Sequence, residues 1–207
     1  MDRKQLFFTL LGDELNKHGF SYKKSINGFF KKENGNEFLY IIEEAPFFLQ
    51  IEPDFRILLK SVENFKRIAW GKLYDKFASV GSTKRSLLSK QRVEECHSNT
   101  DTKEAVLSAV KKEVEFYESF VNNDFIQYSD IGFLDGLLNS NPDRFNVTTY
   151  NPIHTAFLAI IVAKLNFNPN FDNLIPIYRE VVNSFNKNYN EEFELLVKHA
   201  QSGSVLH

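Results

Sequence analysis

The sequence has almost no cysteine, the residue that forms covalent cross-links within a chain. Cys96 is the single cysteine among 207 residues, which excludes a disulfide within the chain. A lone thiol suits a reducing compartment, so we expect the protein to be cytoplasmic. The sequence also lacks internal repeats, low-complexity segments and the common glycine-rich loops that bind nucleotide phosphates.

An excess of charge and a long hydrophobic run are absent as well. The formal net charge is −2, so the chain as a whole exerts no pull on nucleic acid or on an anionic membrane. The longest apolar stretch, residues 153–165, contains His154 and Lys164 and is shorter than the roughly 20 residues that span a bilayer. Residues 6–11 are apolar, but Asp13 follows closely, which favours a helix over a signal peptide. We therefore expect no membrane partner.

Apolar residues make up 43% of the chain, which is enough for a sizeable core. Between residues 20 and 59, the pairs Asn27-Gly28 and Asn34-Gly35 stand between runs rich in phenylalanine, tyrosine and isoleucine. Such pairs accept the positive φ angles of tight hairpin turns at low cost. The stretch therefore predicts an antiparallel meander of four or five strands.

The first turn of the meander has two possible lengths. A two-residue loop would set lysines opposite lysines, which costs stability. We therefore predict a three-residue loop with a bulge at Gly28. This register puts three aromatic residues on one face of the sheet: Phe20, Tyr22 and Phe30.

The second turn has a clearer pattern. A two-residue loop sets Lys32 opposite Glu37, a pair of opposite charges. Residues 38–42 are too apolar for an edge and should form a central strand. Pro53 is expected to end the following strand or to kink it.

The spacing of apolar residues predicts helices on both sides of the meander. Phe7, Leu11 and Leu15 recur every four residues, so we expect a first helix that covers one face of the sheet. After the strands, Ser61 can cap a helix that runs as far as residue 81 unless Gly71 divides it.

The second half of the chain has the periodicity of a mainly helical region. Asp101 and Glu104 have the spacing of a capping box, and Asp124 or Ser129 can open the helix that follows. The first of these helices carries a stripe of residues predicted to face the core: Leu107, Val110, Val114, Tyr117 and Val121.

Further helices are predicted on either side of the longest loop, residues 139–150. The cap pair Asn151-Pro152 precedes residues 153–165, which are apolar nearly all round and should form the buried centre of this half. Helices over residues 172–185, disrupted by Pro176, and 190–201 follow. Residues 82–98 are also predicted to be helical.

Together these patterns predict an α+β protein. Residues 1–80 should form a helix and an antiparallel sheet, and residues 81–207 a helical half. We expect the two parts to pack as one compact unit.

His154 is the residue with the most chemical interest. The N-terminal dipole of its helix disfavours the protonated imidazole, and the preceding loop carries Asp143, Arg144 and Tyr150. These four residues are the candidates for binding a ligand. The alternative is a core histidine held by one hydrogen bond, which the lack of a nucleophile at an informative spacing favours.

Two other clusters resemble sites but lack essential parts. Glu94, Cys96 and His97 are adjacent, yet no second cysteine and no paired histidines complete a metal site. A group of lysines is interleaved with aromatic residues, as in single-strand nucleic-acid binders, but nearby glutamates offset the charge. These lysines are Lys17, Lys23, Lys24, Lys31 and Lys32. We predict no catalytic residues, no metal and no cofactor, and we do not expect nucleic acid as a partner.

The opening of the chain resembles a known family. Residues 15–24, Leu-Asn-Lys-His-Gly-Phe-Ser-Tyr-Lys-Lys, and residues 28–32, Gly-Phe-Phe-Lys-Lys, are similar to the start of the bacterial family named domain of unknown function 4304. The similarity extends over about residues 6–55. It implies a helix ending in Gly-Phe, then a lysine-rich strand and an aromatic strand, but no activity.

Two hypotheses about function follow. The first is a non-catalytic cytoplasmic protein that binds another protein, for example a bacterial toxin-neutralising (immunity-type) protein, because acidic pairs such as Glu43-Glu44 and Glu191-Glu192 suit a basic partner. The second is an enzyme or small-ligand binder with a site around residues 139–154.

Overall fold

The computed structural model describes residues 2–44, 50–71, 80–83, 98–142 and 151–202. The fold is α+β as predicted, with an antiparallel sheet near the N-terminus and a mainly helical C-terminal half. The strands are β1 Ser21–Lys23, β2 Gly28–Glu33, β3 Asn36–Glu44, β4 Gln50–Leu58, β5 Val80–Thr83 and β6 Ser98–Asn99. The α-helices are α1 Arg3–Asn16, α2 Lys60–Trp70, α3 Lys103–Phe116, α4 Asn122–Gln127, α5 Ile131–Asn139, α6 Pro152–Leu165, α7 Phe171–Phe185 and α8 Asn190–Gln201. A π-helical turn, Tyr117–Val121, joins α3 to α4.

The chain forms two compact units that are interleaved in sequence. The first consists of Met1–Ile57 and Gly81–Ile126, and the second of Leu58–Val80 and Gln127–His207. Each unit thus takes residues from both sides of the predicted boundary at residue 80.

The sheet belongs to the first unit and has the strand order β1-β2-β3-β4-β5, with β6 paired to β4. The β3 strand, which contains residues 38–42, therefore has a neighbour on each side, as its apolar sequence predicts. Pro53 lies inside β4 and does not end it.

The second hairpin has the predicted register. Asn34 and Gly35 have φ angles of 52° and 84°, the conformation that a two-residue turn between twisted strands requires. Lys32 lies opposite Glu37. Their Nζ and Oε1 atoms are 3.8 Å apart.

The predicted register of the first hairpin is wrong. Lys24–Ile26 form a 3₁₀ turn and Asn27 has a φ of 47°, so the loop has four residues and Tyr22 lies opposite Phe29. Tyr22 therefore does not share a face with Phe30, which lies opposite Ser21.

Asn27 lengthens this loop because it also binds the sheet. Its Nδ2 donates to the carbonyl of Ile42 at 2.9 Å, and the Ile42 amide donates back to the Asn27 carbonyl at 3.1 Å. Gly28 is paired in β2 and is not a bulge, but it is tightly confined. A Cβ at this position would lie 2.4 Å from the backbone carbonyl oxygen of Tyr40.

Helix α1 has the predicted buried stripe, and its Phe8 ring contacts Phe29 of the sheet. Phe7, Leu11 and Leu15 are all buried. Helix α1 packs against α3, and on the same side of the sheet an aromatic cluster fills the core of the first unit, with ring centroids 4.8 to 6.5 Å apart. Its members are Phe20, Tyr40, Phe55, Tyr117 and Phe125.

The buried stripe of α3 differs in part from the prediction. Val110, Tyr117 and Val121 are buried, but Leu107 is 50% exposed. The core positions also include Val106, Ala109, Glu113 and Phe116. The inward face of α3 thus includes a glutamate, Glu113, and excludes Leu107.

Several helix starts differ from the predicted caps. Thr102 caps α3 in place of Asp101, since the Thr102 side chain accepts the Ala105 amide at 3.0 Å. Asp130 caps α5 by accepting the Phe133 amide at 2.8 Å. Asp124 lies inside α4 and does not open a helix.

The helix predicted near Ser61 stops at Gly71 and does not run on as one helix to residue 81. Helix α2 begins at Lys60, after Leu59, and ends at Trp70, where Gly71 has a φ of 53°. Of the predicted helix over residues 82–98, residues 82, 83 and 98 lie in strands, and residues 84–97 lie outside the described part of the chain.

Helix α6 is the centre of the second unit, as predicted. Ile153 and every residue from 155 to 163 are buried, and α2, α5, α7 and α8 contact this helix. The Asn151 side chain accepts the Ile153 amide at 2.9 Å, and Pro152 takes the first helical position. Helix α7 continues through Pro176, and α8 has the predicted bounds.

Within the described residues, none of the helices combines the length and the hydropathy that a membrane span needs.

We expect Gly28→Ala to destabilise the protein because the new methyl group would meet backbone atoms of β3. The free energy of unfolding should fall by about 2–3 kcal/mol or more. Urea denaturation followed by circular dichroism measures this change.

Gly136→Ala is the matched control. Gly136 lies in α5, and a Cβ there meets nothing within 4 Å, so this variant should be more stable by about 0.5–1 kcal/mol. Equal effects of the two substitutions would contradict the close approach at Gly28.

Candidate functional site

A groove of about 710 Å³ runs along α1 and β1 in the first unit. We call it the α1–β1 groove. Its wall on the helix consists mainly of Gln5, Phe8, Thr9, Gly12, Asp13 and Asn16, and its wall on the strand of Phe20, Ser21, Tyr22 and Lys24. Asp2 and Lys4 complete the lining at the helix start.

Helix α1 forms the groove with a second stripe beside its buried one. The lining residues of α1 are spaced by three and four positions, so they share one helical face. The neighbouring stripe of Phe7, Leu11 and Leu15 is buried. One helix thus both closes the core and builds a wall of the groove.

Aromatic rings form the apolar middle of the groove. The Phe8 and Tyr22 centroids are 5.3 Å apart, and both rings contact Phe29, which is fully buried. Gly12 lets the helix lie close to this cluster, since a Cβ there would be 3.2 Å from the Phe29 ring. Tyr22 is 50% exposed and presents its ring to the groove.

The strand wall of the groove is a sheet edge. In the described sheet, β1 stands at the end of the strand order and pairs with β2 on one side. On the other side of such a strand, alternate residues direct backbone N–H and C=O groups away from the sheet. In the described part of the chain no strand pairs with this side of β1, so an added strand could use these groups.

Charges of opposite sign lie toward opposite ends of the groove. The chain turns back at Gly19, and the Phe20 amide donates to the Leu15 carbonyl, so the end of α1 lies beside the start of β1. Asp13 therefore lies toward the Phe20 end. Lys24 lies at the other end, with the start of α1.

The lysine-rich surface is largely neutralised in the structure. Lys17 is paired with Glu14, Lys31 with Glu33 and Lys32 with Glu37. Lys23 lies over the Phe30 ring at 4.9 Å. Of the aromatic residues between these lysines, Phe29 is buried and offers no face to a base, whereas Tyr22 is 50% exposed.

His154 lies in the first turn of α6 and is half-buried. Burial lowers its pKa, and the positive charge of Lys66 lowers the pKa further. Lys66 is itself buried and paired with Glu63 on α2. The imidazole is therefore biased toward its neutral form.

The remaining predicted site residues lie outside the described part of the chain. These are Asp143, Arg144 and Tyr150, together with Glu94, Cys96 and His97. A common site for His154 and its predicted partners thus stays a prediction. Among the described residues, no group of three histidine, cysteine or acidic side chains is arranged to hold a metal ion.

Glu113 is a fully buried carboxylate in the core of the first unit. The Tyr40 hydroxyl donates to its Oε2 at 3.1 Å, and the Ser98 hydroxyl donates to its Oε1 at 2.8 Å. Burial raises the pKa of Tyr40 well above its usual value, and the adjacent Glu113 raises it further. The carboxylate joins α3 to β3 and β6 and opens onto no described cavity.

Asp135 on α5 is a second buried carboxylate, in the second unit. It accepts hydrogen bonds of 2.7 to 3.0 Å from three asparagine amides, Asn139, Asn166 and Asn168. The Tyr178 hydroxyl lies 2.9 Å from the Asn139 side-chain oxygen, and burial followed by the charge of Asp135 raises the Tyr178 pKa. This network fastens α5 to α7 and to the turn after α6.

Sequence reasoning missed the groove and the buried networks of Glu113 and Asp135. For Glu113 a signal existed, because it stands three residues after Val110 and four before Tyr117, inside the apolar stripe. For the groove, the signal was weaker: Phe8 lies beside the stripe that the sheet buries, and a second apolar face is easily counted with the first.

No family model matches the chain, and comparisons with curated proteins and with solved structures gave no significant match. The resemblance to the domain of unknown function 4304 family stays a prediction.

We expect Glu113→Ala to destabilise the protein strongly, because two buried hydroxyl groups lose their acceptor and a cavity opens. The free energy of unfolding should fall by about 2–4 kcal/mol in urea denaturation. Glu115→Ala, two residues further along the same helix and exposed, should change it by less than about 0.5 kcal/mol. Similar losses in both variants would show that the buried network contributes little.

We expect the free energy of unfolding to decrease as the pH is lowered, and we expect His154 to contribute to this decrease. Its folded-state pKa lies below the unfolded value of about 6.5, so the unfolded chain takes up the proton first. The contribution of the neutral His154 to the free energy of unfolding is complete above about pH 7. It is lost as the pH falls from about 6.5 through the folded-state pKa.

Urea denaturation at about pH 7.5 and about pH 5.5 measures this loss. The loss should be smaller in His154→Gln, and smaller again when His199, whose pKa burial also lowers, is changed to glutamine as well. An unchanged loss in His154→Gln would mean that His154 does not contribute.

Proposed function

We propose that this protein acts by binding another protein, without chemistry of its own, and that the α1–β1 groove is the binding surface. The occupant is an extended segment of the partner, which adds a strand to β1. A cytoplasmic location is part of the proposal, because the single cysteine suits a reducing compartment.

The observation that supports the proposal is the combination of a sheet edge with a helix across a groove. The edge of β1 offers main-chain hydrogen bonds, which give affinity for any extended chain. The rings of Phe8 and Tyr22 offer an apolar contact for the partner's alternate side chains. Neither feature alone favours a peptide over another ligand, but together they match the recognition mode of an added strand.

The size of the groove limits what binds. The lining from Phe20 to Lys24 comprises five residues, of which Ser21–Lys23 form β1. Five residues of an extended partner chain span roughly 13 Å. An interface of this size is at the small end for protein complexes, so a peptide alone should bind weakly and reversibly. A partner that binds tightly has to contact surfaces next to the groove as well.

A toxin-neutralising protein is one concrete form of this proposal. Glu191 is exposed at the start of α8, and acidic side chains of this kind suit a basic toxin. Coexpression with a toxin encoded beside the gene would test this form: the chain should protect the cells and co-purify with the toxin.

A small-ligand site around residues 139–154 is the second candidate. What favours it is the half-buried His154, whose lowered pKa leaves a neutral imidazole beside the buried Lys66–Glu63 pair. A panel of small metabolites that raises the melting temperature of the wild type and not of His154→Ala would support this candidate.

We expect Thr9→Trp to block partner binding, because Thr9 is exposed in the helix wall and an indole would fill the groove. The partner is first identified by crosslinking in the native host, and its Kd is then measured by calorimetry. Thr9→Trp should raise the Kd at least about tenfold, which corresponds to about 1.4 kcal/mol.

Leu107→Trp is the control for an added indole on an exposed helical position of the same unit outside the groove. It should leave the Kd within about twofold. Equal weakening by both substitutions, or the failure to find any partner that binds the purified chain, would count against the proposal.

A further inference from the structure

The α1–β1 groove has charged groups at both ends of an apolar middle. Lys24 is exposed at the end of β1, and Asp13 is exposed on α1 toward the opposite end. Lys4 and Asp2, which have opposite charges, also line the Lys24 end. At the Asp13 end the adjacent Lys17 and Glu14 offset each other as an ion pair.

The other nearby lysine does not change this arrangement. Lys23 points to the opposite face of the sheet, where its Nζ lies 4.9 Å from the centre of the Phe30 ring. The positive end reaches Phe8, since Lys4 Nζ lies 5.9 Å from the centre of the Phe8 ring. A chain in the groove thus meets a positive end that extends over Phe8, then the Tyr22 ring, then a negative end.

We propose that the partner segment has a matching three-part sequence. Its central side chain is apolar or aromatic and contacts Phe8 and Tyr22. An acidic residue two positions to one side faces Lys24, and a basic residue two positions to the other side faces Asp13. The inference rests on the proposed function and specifies which partner chains the groove accepts.

The spacing of two follows from the geometry of a strand. Residues i and i+2 of an extended chain point to the same side and are about 6.6–7 Å apart. Three alternate residues therefore reach the groove from one face of the added strand. The residues between them point outward and are not selected.

The charges select the order of the segment more than they strengthen binding. Exposed ion pairs contribute little affinity, but like charges set against each other discriminate against the wrong register and direction. Main-chain pairing with β1 supplies affinity without sequence preference. A segment with two acidic or two basic residues at these positions should therefore bind more weakly than one that carries opposite charges.

The test is a selection of random seven-residue peptides, displayed on phage, against the full-length chain. Peptides enriched on the wild type should carry an apolar residue flanked at two positions by an acidic and a basic residue. The same selection on Lys24→Glu should exchange the acidic residue for a basic one. A synthetic peptide from the wild-type selection should bind Lys24→Glu about three- to tenfold more weakly.

Lys111→Glu is the matched control, since Lys111 is exposed on α3 and does not line the groove. Its selected peptides and its affinity for the synthetic peptide should equal those of the wild type. If peptides are enriched without a pair of opposite charges around the apolar residue, or if both charge reversals act alike, the three-part sequence is wrong while the groove remains a peptide site.

Two other outcomes would overturn the proposed function or change the identity of the occupant. If no peptide is enriched on the wild type, or if Thr9→Trp binds the enriched peptides as well as the wild type does, the groove is not a site for an added strand and the proposed function fails with the inference. If sedimentation shows a dimer that Thr9→Trp dissociates, the occupant is a second copy of the chain.

Discussion

The packing of α1 on β2 through the Phe29 ring is the contact on which the first unit depends. Phe29 is fully buried, with Phe8 and Tyr22 against its ring and the backbone of Gly12 close above it. This contact sets the distance between the helix and the sheet edge. The width of the groove is therefore fixed by core packing, and a wall of the groove moves only if the core moves.

Each unit contains a buried carboxylate, Glu113 in the first and Asp135 in the second, whose hydrogen bonds constrain how the unit folds. A buried ionisable group adds little net stability, but it strongly disfavours arrangements in which its hydrogen bonds are not made. Glu113 requires the hydroxyl groups of Tyr40 and Ser98, and Asp135 requires amides that lie far from it in sequence. Each network thus specifies how elements distant along the chain come together, which apolar contacts alone specify less sharply.

The sequence predicted best where one local rule determined the outcome. The turn at Asn34-Gly35, the stripe of α1 and the bounds of α8 follow from turn chemistry, periodicity and helix-end charges. The first hairpin could not be predicted in the same way, because the Asn27 side chain binds Ile42, a residue of a different strand. A local rule does not include a long-range hydrogen bond of this kind.

The same limit applies to α3 and to the groove. The stripe was predicted from apolar residues alone, so Val110 was correctly assigned to the core, Leu107 was wrongly assigned to it, and Glu113 was left out. The groove arises from the distance between α1 and β1 and from the position of β1 at the sheet edge, neither of which is encoded in a short motif. Its aromatic residues were visible in the sequence, but their common location was not.

The π-helical turn between α3 and α4 changes the phase of the helix that it interrupts. Tyr117, Val121 and Phe125 repeat every four residues and are all buried. On an uninterrupted α-helix this spacing would drift by about 40° at each step and carry the third side chain away from the core. The π-helical turn has more residues per turn than an α-helix, so it cancels this rotation and keeps all three side chains on the core side. The apolar positions before residue 117 and those after residue 121 therefore do not follow one continuous α-helical periodicity.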